Sequence, residues 1–156
     1  MKLNRVAITG LGIVCGNGNN LQDTWKSIVN GEPGISKIEN TPVQDLAVQI
    51  AGEVKDFTLS EDILTEREQP RYDKFIHYAL SAGHEAFANS GLLTESPYLQ
   101  EKMGSILGVG MGGFPGILST YDTYLEKGPR RVSPFFIPAV IPNMASGLLT
   151  IQLGLK

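Results

Sequence analysis

Ser105-Ile-Leu-Gly-Val-Gly-Met-Gly-Gly-Phe114 is the stretch on which the reading of this chain turns. An uncharged, strand-like run enters it, and Gly108, Gly110, Gly112 and Gly113 crowd its exit. Phe114, Ile117, Leu118, Tyr121 and Leu125 then recur at helical spacing, so the stretch reads as strand, glycine turn and helix. Open α/β folds use such a unit to bring backbone close to a ligand or another chain. The same glycines match Gly-x-Gly-x-x-Gly from Gly108 to Gly113, which raises a dinucleotide site. That site needs an acidic residue about 20 positions further on for the ribose, whereas this chain offers Gly128, Pro129, Arg130 and Arg131 there. A nucleotide role is therefore the third reading, and the glycines are expected to lie beneath a neighbouring chain where only hydrogen fits.

Upstream, Val6 to Thr9 reads as a short strand closed by Gly10 and Gly12. After the turn Gly16-Asn17-Gly18, Asn20 is placed to cap a helix bearing Leu21, Trp25, Ile28 and Val29, with Gly31 as its stop. Glu32 to Gln44 reads as loop, and Ala47 to Val54 as a strand or hairpin arm. The pattern from Asp73 to Ser90 predicts a helix, with Pro70 ahead of it, Asp73 as its N-cap and Gly91 behind. Its apolar residues cover most of the circumference, as in a helix that runs through the middle of a fold.

Downstream, Val132 to Leu155 carries no charged residue, yet Pro134, Pro138, Pro142, Asn143 and Gln152 argue against a membrane span. Asn143 is read as the cap of a last helix bearing Met144, Leu148, Leu149 and Ile151, ahead of Gly154. So apolar a segment needs cover, which is expected to lie outside these 156 residues.

The net charge of −3 hides an asymmetry. Lys127, Arg130, Arg131 and Lys156 give +4 from residue 127 onward with no Asp or Glu, which leaves −7 for the first 126 residues. Such a basic cluster suits an anionic partner. The single cysteine, Cys15, excludes an internal disulfide, suits a reducing cytosol and reads as a small buried side chain. His77 and His84 share a helix face with Asp73 one turn earlier, but no third committed ligand is identifiable, so neither a metal nor a cofactor is expected. No Ser-His-Asp arrangement can be assembled either.

Val6-Ala-Ile-Thr-Gly-Leu-Gly-Ile-Val14, Asp73-Lys-Phe-Ile76, Gly108–Gly113, Gly128-Pro-Arg-Arg-Val-Ser-Pro-Phe-Phe-Ile-Pro138, Asn143-Met-Ala-Ser-Gly147 and Leu153-Gly-Leu-Lys156 stand in one order. In that order the chain resembles the β-ketoacyl-acyl-carrier-protein synthases, specifically the elongating type II enzymes of fatty-acid synthesis. The resemblance implies an α/β fold, the N-terminal half of a thiolase-like α-β-α-β-α layering, with residues 1–156 as one half-domain and no separate second domain. It implies a cytoplasmic homodimeric acyltransferase that condenses malonyl-acyl carrier protein with an acyl thioester, without nucleic-acid or membrane partners.

The family's cysteine and histidine pair would lie beyond Lys156. Cys15, His77 and His84 do not match them, so no catalytic residue is expected in this chain. By the same resemblance Met111 would be an apolar gate beside the acyl chain, Phe136 with Phe135 would cross the dimer interface and line the acyl pocket of the partner subunit, and Arg67, Arg71, Arg130 and Arg131 would meet the acidic carrier protein. Pro70 stands where a further basic residue is common. The competing reading is a non-catalytic interaction or dimerisation module built on the same half-fold.

Overall fold

The computed structural model describes residues 4–92 and 100–156, which gather into two compact units. Of the described residues, the first comprises 4–58 with 82–92, and the second 59–81 with 100–156. Helix α2, introduced below, gives its first half to the second unit and its second half to the first.

In the first unit α1 spans Leu21–Val29. The Asn20 side chain accepts the Asp23 N–H at 2.8 Å, the N-cap read from the sequence. Gly31 follows at φ +72°, a left-handed turn that glycine takes without strain. Cys15 and Gly18 exchange backbone hydrogen bonds of 2.9 and 3.1 Å around Gly16-Asn17, confirming that turn. The hairpin expectation narrows to a two-stranded antiparallel ribbon, β1 at Ser36–Lys37 against β2 at Ile50–Ala51, with Ser36 opposite Ala51.

Val6 to Thr9 is not a strand, and neither is Ser105 to Val109. An apolar run supplies a preference, but a strand exists only where a neighbouring backbone completes its ladder. No described residue pairs with either segment, and Val6, Ile8 and Ile106 stand 92%, 83% and 98% exposed. The residues following Val6 to Thr9 lie instead against the second half of α2, Lys74–Ser90. A Cβ on Gly10 would strike the Ala86 carbonyl, and one on Gly12 the Ala82 carbonyl. The Glu85 carboxylate accepts the Ile13 N–H at 3.0 Å and the Leu21 N–H at 2.7 Å. The latter is an orphan donor in the first turn of α1, so an anion there also suits the helix dipole.

In the second unit, Ile76 and Leu80 on the first half of α2 are fully buried. Each contributes on the order of 1.5–3 kcal/mol of transfer free energy. Helix α3 runs Phe114–Lys127, α4 Phe136–Val140 and α5 Asn143–Gln152. Val140, Ala145 and Leu149 add to the core with Leu59 and Leu64. The Gln69 amide donates to the Leu59 and Leu64 carbonyls at 3.3 and 3.0 Å, and Gln152 donates to the Ile63 carbonyl at 2.6 Å.

Asn143 is not the cap of α5. Pro142 takes that place and Asn143 is already helical, because a proline with helical backbone starts the helix without an N–H to satisfy. Gly154 follows α5 at φ +63°. The apolar face of α3 is correctly read but uncovered among the described residues: Phe114, Ile117, Leu118, Tyr121 and Leu125 are all exposed.

Candidate functional site

Asp73 is the joint of the second unit. Its Oδ1 accepts the Phe75 N–H at 3.3 Å, which caps α2 as the sequence implied. Its Oδ2 accepts the Gly116 N–H at 3.0 Å in the first turn of α3, and its own N–H donates to the Ala139 carbonyl of α4 at 3.2 Å. One residue thus ties together the ends of three helices.

Around this joint opens a cleft of about 530 Å³. One wall is the segment Pro70 to Lys74, another is the Ser133-to-Val140 region with Phe135 and Phe136, and the start of α3 closes it. Across the cleft the Arg71 guanidinium lies 5.3 Å from the centre of the Phe135 ring, a cation–π distance.

Of the residues singled out from the sequence, the structure therefore brings Arg71, Phe135 and Phe136 together. Met111 does not line this cleft. It is 71% exposed, one position ahead of Gly112 and Gly113, which are pinned against Val140. Arg67 is exposed beside the Thr65–Glu68 turn, where the Thr65 hydroxyl and N–H hold the Glu68 carboxyl below its ordinary range. Arg130 and Arg131 are exposed on a 3-10 turn, Pro129–Arg131, that follows Gly128 at φ +79°. Cations just past a helix C-terminus are favourably placed.

The glycine motif does not build a phosphate cradle. A pyrophosphate on the first turn of α3 would need its free N–H groups. Pro115 has none, and the Gly116 N–H is already given to the Asp73 carboxylate, which would repel an anion. Gly108 and Gly110 have open space about them, so only Gly112 and Gly113 meet the expectation of a close approach.

His77 Nε2 lies 3.0 Å from the Gln69 carbonyl, which can only accept, so that nitrogen carries the proton. Cys15 is half-buried rather than buried, with Sγ 3.7 Å from Thr24 Oγ1. No group of three or more potential metal ligands occurs among the described residues, and no helix there is long and apolar enough to cross a membrane. A second cleft, of about 560 Å³, lies between α1 and α2 in the first unit. Its Glu85 and Asn89 side chains are engaged by backbone groups of Ile13, Leu21 and Leu11.

The sequence marks Asp73 as a helix cap and as part of a family motif, but not as a tie between helices. Its bond to Gly116, 43 residues away, leaves no local trace.

The model of the β-ketoacyl synthase N-terminal domain matches residues 3–156. A 3-oxoacyl-[acyl-carrier-protein] synthase 2 from Synechocystis sp. is 40% identical over 152 residues, covering 97% of this chain and 36% of that protein. The protein of the same name from Vibrio harveyi is 38% identical over 157 residues, covering 100% and 37%. The chain thus spans little more than a third of the length of these relatives.

Among solved structures, a β-ketoacyl synthase from Burkholderia phymatum superposes with a TM-score of 0.76 at 19% identity, over 99% of this chain and 38% of that one. A type II polyketide ketosynthase solved with its acyl-carrier protein gives 0.72 at 18% identity, over 96% and 40%. These likenesses establish the fold: an α/β chain corresponding to part of a ketosynthase.

Proposed function

We propose, from the premise that this chain belongs to the β-ketoacyl synthase family through that family's N-terminal domain, that it is part of a 3-oxoacyl-[acyl-carrier-protein] synthase of fatty-acid elongation. The observation that carries the proposal is the end-to-end family match over residues 3–156. The reaction is a decarboxylative condensation. A carbon–carbon bond forms between the carbonyl carbon of an enzyme-held acyl thioester and the α-carbon of malonyl-acyl carrier protein; the malonyl carboxylate leaves as carbon dioxide, and the acyl carbon–sulfur bond breaks to return the enzyme thiol. The nucleophilic cysteine and the histidine pair are proposed to lie outside residues 1–156.

Within this chain, read as a single half-domain, the proposed roles are recognition and shape. Phe135 and Phe136 form an apolar wall for the acyl chain, and Met111 an adaptable gate beside it. Arg67, Arg71, Arg130 and Arg131 attract the anionic carrier protein. Their exposure, the +4 charge from residue 127 onward and the carrier-protein complex among the structural neighbours support that assignment. A cytoplasmic homodimer that uses malonyl and acyl thioesters completes the reading.

The apolar face of α3, uncovered among the described residues, is the observation that a competing reading would use, a non-catalytic interaction or dimerisation module. One experiment separates the two. The full gene product, given malonyl- and acyl-loaded carrier protein, is expected to release carbon dioxide and form the 3-oxoacyl product, while residues 1–156 alone form none. A full gene product without turnover overturns the enzyme reading. Turnover by residues 1–156 overturns the placement of the catalytic groups.

A further inference from the structure

The cleft beside Asp73 places a proposed docking cation directly against a proposed acyl-pocket aromatic, and Asp73 stands between the two segments that carry them. Arg71 precedes Asp73 by two residues and Phe135 precedes Ala139 by four, while the Asp73 N–H is bonded to the Ala139 carbonyl at 3.2 Å. Phe135 is joined to the start of α4 by the Ala139 N–H, which donates to the Phe135 carbonyl at 2.9 Å. Asp73 Oδ2 holds the remaining wall through Gly116 at 3.0 Å. The Asp73 N–H thus links the Arg71 segment to the Phe135 segment, while the Asp73 carboxylate anchors the residue to the first turns of α2 and α3.

From this we infer that Asp73 is a positioning residue, which holds Arg71 over Phe135 and so couples carrier-protein docking to the aromatic wall of the acyl site. The inference rests on the reading of Arg71 as a docking residue. Gly116 belongs to the same device. A Cβ there would meet Asp73 Oδ2 at 3.0 Å and Val140 Cγ1 at 3.1 Å, so the glycine leaves the carboxylate its place. Asp73 touches no reacting atom. Loosening it misplaces Arg71 and the ring together, which weakens recognition of the loaded carrier protein ahead of the chemical step.

The test is a steady-state titration of acyl-carrier protein with the full gene product carrying Asp73→Asn, Arg71→Ala or both, alongside urea midpoints. Asp73→Asn keeps the volume but turns an NH₂ or a weaker acceptor toward the Gly116 N–H. It is expected to raise KM about tenfold while kcat changes far less. In the Arg71→Ala background the same change is expected to add less than about twofold, because the residue it positions is gone.

An undiminished rise in that background, or no rise at all beside a lowered urea midpoint, overturns the inference and leaves Asp73 a purely structural cap. If Arg71→Ala alone leaves KM unchanged, the docking assignment itself falls, and the inference with it. Gly116→Ala displaces the carboxylate with its charge intact. It decides the matter if Asp73→Asn does not fold: a KM rise supports the coupling and an unchanged KM overturns it.

Discussion

Gly113 lies so close to Val140 that a Cβ on it would come within 2.5 Å of the valine Cα and Cβ. The glycine cluster at residues 108–113 is thus explained at its end by packing: the chain turns into α3 directly against the last residue of α4.

Gly113→Ala is expected to destabilise by about 1–3 kcal/mol, the usual cost of forcing extra volume against backbone. Gly147→Ala makes the contrast. It lies inside α5 with nothing within 4 Å of its added Cβ, and is expected to stabilise by about 0.5–1 kcal/mol through helix propensity. Urea midpoints of the two variants check both signs, and a neutral Gly113→Ala would show that the contact is not binding on the fold.

Glu53 closes the β1–β2 ribbon. Its carboxylate accepts the Glu39 N–H at 2.8 Å and the Asn40 N–H at 3.1 Å, and the Glu39 bond is the chief reason its pKa sits below the ordinary 4.5. A group whose folded pKa is depressed stabilises the fold above its unfolded value and loses that contribution as pH falls through the folded one. The ribbon is therefore expected to loosen below about pH 4.5, with faster exchange of the Glu39 and Asn40 amides than their neighbours show. Glu53→Gln is expected to be loose already at neutral pH and to show no further loosening on acidification. An acid response identical to the parent's would assign the titration to another carboxylate.

Arg130→Glu with Arg131→Glu is expected to weaken binding of acyl-carrier protein and to flatten its dependence on salt. Exposed charges act over a Debye length of about 10 Å at 0.1 M, so the parent's affinity is expected to fall steeply as salt rises. Binding that is unchanged at low salt would place the carrier protein elsewhere.

Much of the fold was legible because its signals are local. Asn20 and Asp73 lie within a turn of the N–H groups they cap, and Gly31 and Gly91 sit just past the helices they end. The apolar face of α3 follows from helical period alone. The strands were over-read for the complementary reason. Val6 to Thr9 and Ser105 to Val109 have strand composition, but a ladder depends on a second backbone that no local pattern names. Of the candidate site, the residue types were visible and their grouping was not. Arg71 and Phe135 are far apart in sequence and meet where the Asp73 N–H bonds the Ala139 carbonyl of α4.

Helix positions, the Asn20 and Asp73 caps, charge asymmetry and family membership are written in the order of residues, since each depends on neighbours a few positions apart or on motifs kept in register. Folding alone decided that Glu85 satisfies the first turn of α1, that Asp73 occupies the donor a phosphate would need, and that Val140 admits only glycine at 113. Those choices belong to tertiary structure because a buried or half-buried polar group takes whichever partner the packed backbone carries within about 3 Å, and sequence distance places no limit on that partner.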